Sequence, residues 1–360
     1  MKLRIVRVFL LIFFLCSLGG ELSAQSKKYK KRRATNRSIS HYKGGMLGKF
    51  RPYTFATFNI NALNYFGDLA PLNRAASTDL TFTRPGFGGN FGYRFHQNFA
   101  VRGGLNWGRI KGDDFTSDPF GEASSARYAR NLSFRNDITE LNVGVEYYIF
   151  PAYTGWRTRP RMNGYIFVGI AAYHHSPKGK VPQYDYQANE TTTPLGNGGE
   201  WVKLQPLGTE GQFLEGSSVE PYGEFQLSIP IAIGLRMSLP GPFDAGIEFG
   251  YRFLFTDYID DVSGSYVDLD RFDDPLARIM SDRSSEPIAV WNEETRASTL
   301  NIGQRNYESG DSYMANIDLG AGVDGSIRGN PDQKDMIFMT SLKLTYILGT
   351  RGGRGFAKTR

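Results

Sequence analysis

Cysteine is all but missing from this chain, and the single one, Cys16, sits in a stretch that reads as removable. Lys2, Arg4 and Arg7 precede an apolar run from Val8 to Leu15, and small and polar residues follow up to Leu22-Ser23-Ala24. That layout is a secretory signal peptide (1–24) with cleavage near Ala24. A lipoprotein would place small residues before its acceptor cysteine, whereas Cys16 follows Phe13-Phe14-Leu15. The chain beyond the leader is then free of cysteine, which excludes a disulfide framework, an all-cysteine zinc site and a thiol nucleophile. Histidine is scarce too: His41, His96, His174 and His175 are the only four, and none has the spacing of a helical metal site, so no metal and no cofactor is expected. After the leader no apolar run approaches the roughly 20 residues that a membrane-spanning helix requires. Acids are absent from Ser26 to Phe50, which carries nine Lys or Arg.

What is present is glycine (42) and aromatic residues (26 Phe and 20 Tyr), in a chain whose mean hydropathy is negative. Transmembrane barrels combine these features, because only alternate residues meet lipid and the membrane signal averages away. Eight segments alternate with period two. The clearest is Phe225 to Met237, where Phe225, Leu227, Ile229, Ile231, Ile233, Leu235 and Met237 share one face. Phe243 to Thr256 and Thr139 to Phe150 follow the same rule, and Tyr53–Asn61, Gly86–Phe95, Phe99–Ile110, Asn163–His175 and Met336–Leu348 follow it more loosely. Pro230, inside a strand, predicts a bulge or a locally frayed pair. Charges on the second face need partners or water, so Glu140, Glu146, Arg236, Glu248 and Arg252 are expected to pair with one another inside a narrow lumen rather than line a pore.

Short and long connections alternate. The links after segments two, four and six are brief, whereas those after one, three, five and seven cover about 64–85, 111–132, 176–224 and 257–335. Outer-membrane barrels have short periplasmic turns and long outer loops. The reading is therefore an all-β fold, an eight-stranded antiparallel transmembrane barrel (51–348) with long extracellular loops and both termini periplasmic. Charge divides the same way. The basic segment 25–50 and the tail 349–360 carry +9 and +4; with the leader's +2 they more than account for the net +6, leaving 51–348 at −9. The last long loop, 257–335, holds 17 Asp or Glu against seven Lys or Arg, and Tyr313 to Leu319 could extend a hairpin within it.

Few residues suggest chemistry. Asp257, Asp260, Asp261 and Asp273-Asp274 are oxygen-rich, but no Asp-x-Asp-x-Asp-Gly loop is present and solvated loop charge is the expectation. The glycines from Gly86 to Gly92 lack the Gly-Lys-Ser/Thr of a phosphate loop. His174 and Ser176, two apart on a strand, share a face as in outer-membrane phospholipases, yet no third orienting group can be named.

Asn64-Tyr65-Phe66-Gly67-Asp68-Leu69 closes the first strand, and Phe255-Thr256-Asp257-Tyr258-Ile259-Asp260-Asp261-Val262-Ser263 closes the seventh. Together they resemble the PorG-like family of small barrels, associated with the type IX secretion system and gliding motility of Bacteroidetes-type bacteria. The resemblance implies a non-catalytic outer-membrane component that links the membrane to a periplasmic part of a secretion machine. Its motif positions here are Tyr65, Gly67, Asp68, Leu69, Thr256, Asp257, Tyr258, Asp260 and Asp261. Physically, Gly67 permits a sharp exit from the strand, and Tyr258 can sit at the membrane interface while Asp257, Asp260 and Asp261 stay wet. The partners expected are outer-membrane lipid and a periplasmic protein, with no nucleic acid for an exported chain. A small pore or transporter, or a lipid hydrolase at the rim, are the alternatives.

Overall fold

The computed structural model describes residues 50–69, 83–117, 125–187, 193–291, 294–296, 324–331 and 334–349. The expected leader, the basic segment up to 49, the tail from 350 and the hairpin near Tyr313 lie outside the described residues.

Eight long strands form the wall: β1 (Tyr53–Phe66), β2 (Arg84–Arg94), β3 (Phe99–Asp113), β4 (Ser133–Tyr148), β5 (Met162–His174), β10 (Phe225–Ser238), β11 (Phe243–Leu254) and β12 (Met336–Gly349). Each pairs antiparallel with the next, and β12 returns to β1 with Thr345 opposite Thr57 and Met336 opposite Phe66, so the sheet closes on itself as an eight-stranded barrel. Closure leaves no free edge along the wall. Above it, the loop after β5 adds short strands β6 (Pro177–Lys180), β7 (Tyr184–Asp185), β8 (Thr193–Pro194) and β9 (Trp201–Lys203). Two short helices, α1 (Ser125–Arg130) and α2 (Pro275–Ser281), complete the loop end.

Period-two alternation holds through the wall. On β10, Ser228, Pro230, Ala232 and Arg236 are buried while Phe225, Leu227, Ile231, Ile233, Leu235 and Met237 are exposed. Several strands run further than alternation suggests: β1 reaches Phe66, β3 reaches Asp113 and β4 begins at Ser133. The reason is packing on both sides. Leu63 to Phe66 and Ile110 to Asp113 are buried at every position, because folded loops cover their outer side, and the ladder continues where the pattern disappears. At Pro230 the β10–β5 ladder skips from Ser228↔Ala171 to Ile231↔Val168 in unchanged register, so the pair frays without a bulge. The β11 side stays continuous there, with Pro230 opposite Arg252.

The end carrying the tails is closed by the short turns 95–98, 149–161 and 239–242. In the last of these, Gly241 takes φ +76 between Pro240 and Pro242, a conformation that glycine adopts without a Cβ penalty. Just inside, Tyr53, Phe55, Ala100, Tyr148, Tyr165 and Ile347 form one small core. A larger core at the opposite mouth joins Leu63, Tyr65, Ile110, Phe134, Ile138 and Tyr173 of the wall to Leu69, Leu204, Ile259, Val262 and Met280 of the loops. The long loops thus fold into a cap that is continuous with the barrel interior. Among the described residues, no helix is long and apolar enough to cross a membrane, which says nothing of the strands.

Candidate functional site

Between the two cores the lumen is filled by charge. Arg102 contacts Glu146 at 2.6 Å and Glu248 at 2.8 Å; Lys343 also pairs with Glu248, Arg236 approaches Glu146 at 3.6 Å, and Arg252 reaches Glu140 at 3.2 Å. Tyr148 and Tyr165 hydroxyls donate to Glu146 and Glu248 at 2.5 and 2.7 Å. Asparagines extend the network: Asn59 donates to Asn61 and Asn106, Asn90 donates to Asn59, and Asn106 and Asn142 donate to Glu140. All five residues expected in the lumen are therefore in it, but they form two groups, Glu140–Arg252 and Glu146–Arg236–Glu248, the second joined through Arg102. Arg102 and Lys343 are additions, although Val101 and Gly103, and Leu342 and Leu344, flank them with outward positions that mark them as inward. Beside Glu140 and Arg252 remains a cavity of about 20 Å³, space for about one water. A wider concavity of about 1010 Å³ runs past Ala56, Phe91, Leu105, Leu141, Ile170 and Leu227. Those side chains point outward, and its lining also takes in the inward Thr57, Asn90, Asn142 and Ser228 of the same rows, which are themselves buried.

At the loop mouth the two sequence motifs meet. Tyr65 at the top of β1 donates to Asp260 at 2.5 Å and contacts Asp335 at 3.0 Å. Asp68 accepts from the Asn330 amide at 2.8 Å, and Leu69 packs with Ile259 and Val262. Asp257 accepts from Ser263 Oγ at 2.7 Å, and the Tyr258 amide donates to Thr256 Oγ1 at 3.1 Å. Asp261 accepts from Thr209 Oγ1 at 2.5 Å and the Tyr222 hydroxyl at 2.6 Å, while the Tyr222 ring stacks on Tyr258 with centroids 4.8 Å apart. Arginines staple this arrangement. Arg130 binds Asp114 at 2.7 Å and donates to the Asp68 and Arg328 carbonyls; Arg328 binds Glu210 at 2.9 Å and donates to the Asp261 carbonyl at 2.6 Å.

One expectation is corrected here. Asp257, Asp260 and Asp261 do not stay wet: they are 3%, 1% and 0% exposed. Hydroxyls, backbone amides and the two arginines replace water around them, whereas Asp273 and Asp274 remain exposed and Asp274 caps α2. Burial, as the largest cause, pushes the Asp257 and Asp261 carboxyls up to about 6 and raises Asp68; Asp260 and Asp335 are driven well above the ordinary carboxylate range. Arg130, Glu210, Arg328 and Asp335 were beyond sequence reasoning, since loops have no period to place them.

His174 and Ser176 do not touch each other. Each binds Glu224, at 3.3 and 3.1 Å, and Lys203 takes the same carboxylate at 3.2 Å. His175 beside them is buried against Tyr222, and burial lowers its pKa to about 4, so it stays neutral. With serine and histidine each tied to Glu224, a serine–histidine proton transfer has no geometry here.

The opposite rim is basic. Arg51, Arg157 and Arg161 are exposed there, Arg159 is held by Asp244 at 2.8 Å, and Arg94 lies under Tyr148 at 4.0 Å. Thr54 of β1 pairs with Gly349 of β12, so the chain enters and leaves the barrel side by side at this rim.

A family model described as "Domain of unknown function (DUF6089)" matches residues 55–195, less than half of the chain. No curated protein matches. Among solved structures, Neisserial surface protein A is 7% identical, aligned over 81% of this chain and 96% of its own, with a TM-score of 0.32. Ail, the attachment invasion locus protein of Yersinia pestis, in complex with the heparin analogue sucrose octasulfate, is 8% identical over 83% and 100%, with a TM-score of 0.32. The N-terminal β-barrel domain of Pseudomonas aeruginosa OprF is 8% identical over 83% and 100%, with a TM-score of 0.29.

Proposed function

We propose that this chain is a non-catalytic barrel of the outer membrane, PorG-like, that serves a type IX-like secretion or gliding machine by joining the membrane to an acidic periplasmic partner. The carrying observation is a wall that is apolar outside and plugged inside. Phe58, Ile60, Leu105, Leu141, Ile170, Ile231, Ile233 and Leu344 are 40% to 67% exposed around the full circumference. Water does not favour such a belt, whereas lipid does. On β3 the outward apolar stretch Phe99 to Trp107 ends at the Arg109–Asp137 pair, and nine tilted residues match the bilayer core, which takes about 9–11. Aromatic contacts border the belt at each end: Phe99–Tyr147 and Phe243–Tyr346 toward the tails, Phe87–Trp107 and Tyr251–Phe338 toward the loops.

A plugged lumen leaves the two ends as working surfaces. The basic rim, together with the nine cations of 26–49 and the four of 350–360 that adjoin its strands in sequence, suits an acidic partner. The resemblance of the two motifs to PorG-like barrels supports the machine over a solitary barrel. The test is co-purification from native membranes in mild detergent, comparing the full chain with one lacking 26–49. Loss of periplasmic partners with the deletion is expected; unchanged recovery sinks the tail's part.

A further inference from the structure

The mouth cluster holds one more short contact than its obvious hydrogens allow. Tyr65 Oη lies 2.5 Å from Asp260 Oδ2 and 3.0 Å from Asp335 Oδ1, yet a phenol carries a single hydrogen. The other carboxyl oxygens are engaged. Asp260 Oδ1 accepts from the Val262 amide and Asp335 Oδ2 from the Ile259 amide, each at 3.0 Å. The shorter phenol contact has the length of O–H···O⁻, which gives the phenolic hydrogen to an ionised Asp260. The longer contact then joins two oxygens that need a hydrogen of their own, on Asp335 Oδ1. Solvent does not substitute for it, because Tyr65 is 5% exposed and both aspartates are 1% exposed.

We propose that Tyr65, Asp260 and Asp335 hold one carboxyl proton among them as a latch, which ties the loop after β11 and the entry to β12 onto the top of β1 and opens when that proton is lost. The surroundings favour keeping the proton. Asp68 beyond β1, Asp257 after β11 and Tyr173 of β5 face the cluster; of the described cations, Arg130 of α1 acts on Asp260 but has its guanidinium already committed to Asp114 at 2.7 Å, and Lys334 acts on Asp257. Burial first, then neighbouring carboxylates, raise Asp260 and Asp335 well above the ordinary range. An acid raised by folding adds stability that is complete below its unfolded pKa and is lost as pH rises through the folded one. The latch is therefore closed in acid and opens toward alkali. It also accounts for Gly67, where a Cβ would strike both Tyr65 Oη and Asp335 Oδ1.

The test is infrared spectroscopy of the folded full-length barrel in detergent at about pH 8, where Asp257 and Asp261 have ionised. Wild type should show a carboxylic-acid carbonyl band that Asp335→Asn or Asp260→Asn removes and Asp137→Asn, at the exposed Arg109 pair, leaves in place. Raising the pH further should bleach the band in wild type while hydrogen exchange at the Ile259 and Val262 amides, corrected for its intrinsic pH dependence, accelerates over the same range. Asp335→Asn, isosteric with the neutral acid, should keep those amides protected. Absence of the band at about pH 8, a band indifferent to both aspartate variants, or bleaching without faster exchange overturns the latch. The wild-type arms decide the matter even where a variant does not fold.

Discussion

An arginine at position 231 distinguishes a lipid-facing wall from a water-facing one. Ile231 is the seventh of the 14 residues of β10, points outward at 40% exposure, and stands opposite Tyr251 on one side and Val168 on the other. In a soluble barrel an Ile→Arg change at so exposed a site stays within about 0.5 kcal/mol. At the middle of a bilayer the same change costs about 2–4 kcal/mol, falling to about 0–1 kcal/mol near the interface. Met237, on the same face but next to the terminal rim, is the depth control. Urea titration in lipid vesicles, with folded protein scored by heat-modifiable gel migration, should place Ile231→Arg about 2–4 kcal/mol below wild type and Met237→Arg much closer to it. An Ile231→Arg protein as stable as wild type, or equal to Met237→Arg, refutes the reasoning.

Glu248 receives Arg102, Lys343 and the Tyr165 hydroxyl, so Glu248→Ala leaves the buried Lys343 without its ion-pair partner and Arg102 with Glu146 alone, and should cost about 3–5 kcal/mol in the same titration. Because the interior is occupied along its length, the purified barrel in a planar bilayer should show no steady conductance; regular channel steps would contradict the plug. Asp257 and Asp261 are raised to about 6, so their contribution to the cap is complete below the ordinary carboxylate range and is lost as pH climbs through about 6. Trypsin should accordingly cut at exposed Arg271 faster near pH 7.5 than near pH 5 after correction for its own pH profile, and Asp261→Asn should reduce that difference.

The wall was legible because the exterior and the lumen impose opposite demands on alternate residues, and Phe225 to Met237 records both without interruption. Legibility ended where that contrast ends. At Leu63 to Phe66 and Ile110 to Asp113 both sides of the strand are covered, so the pattern vanishes while the hydrogen bonds continue. The charged lumen was half readable: Glu248 and Arg252 stood out in a clean strand, whereas Arg102 and Lys343 sat in segments of weaker alternation. At the mouth, the residues of the two motifs come together, but the hydration of Asp257, Asp260 and Asp261 could not be read from them. Their burial depends on Tyr222 and Thr209 of the loop after β5, Arg130 of the loop after β3 and Arg328 from a distant stretch of their own loop, and no local spacing records such contacts.

The central claim, a barrel that spans the outer membrane with its loops outside and its basic rim in the periplasm, is tested most directly by site-directed labelling in intact cells. The expected mature chain has no cysteine of its own, so Asp270→Cys in the acidic loop and Arg157→Cys on the rim, both exposed positions, each supply a single thiol. A membrane-impermeant maleimide should label Asp270→Cys on whole cells and reach Arg157→Cys only after the outer membrane is permeabilised. Equal labelling of the two on intact cells, or labelling at position 157 alone, would contradict the account.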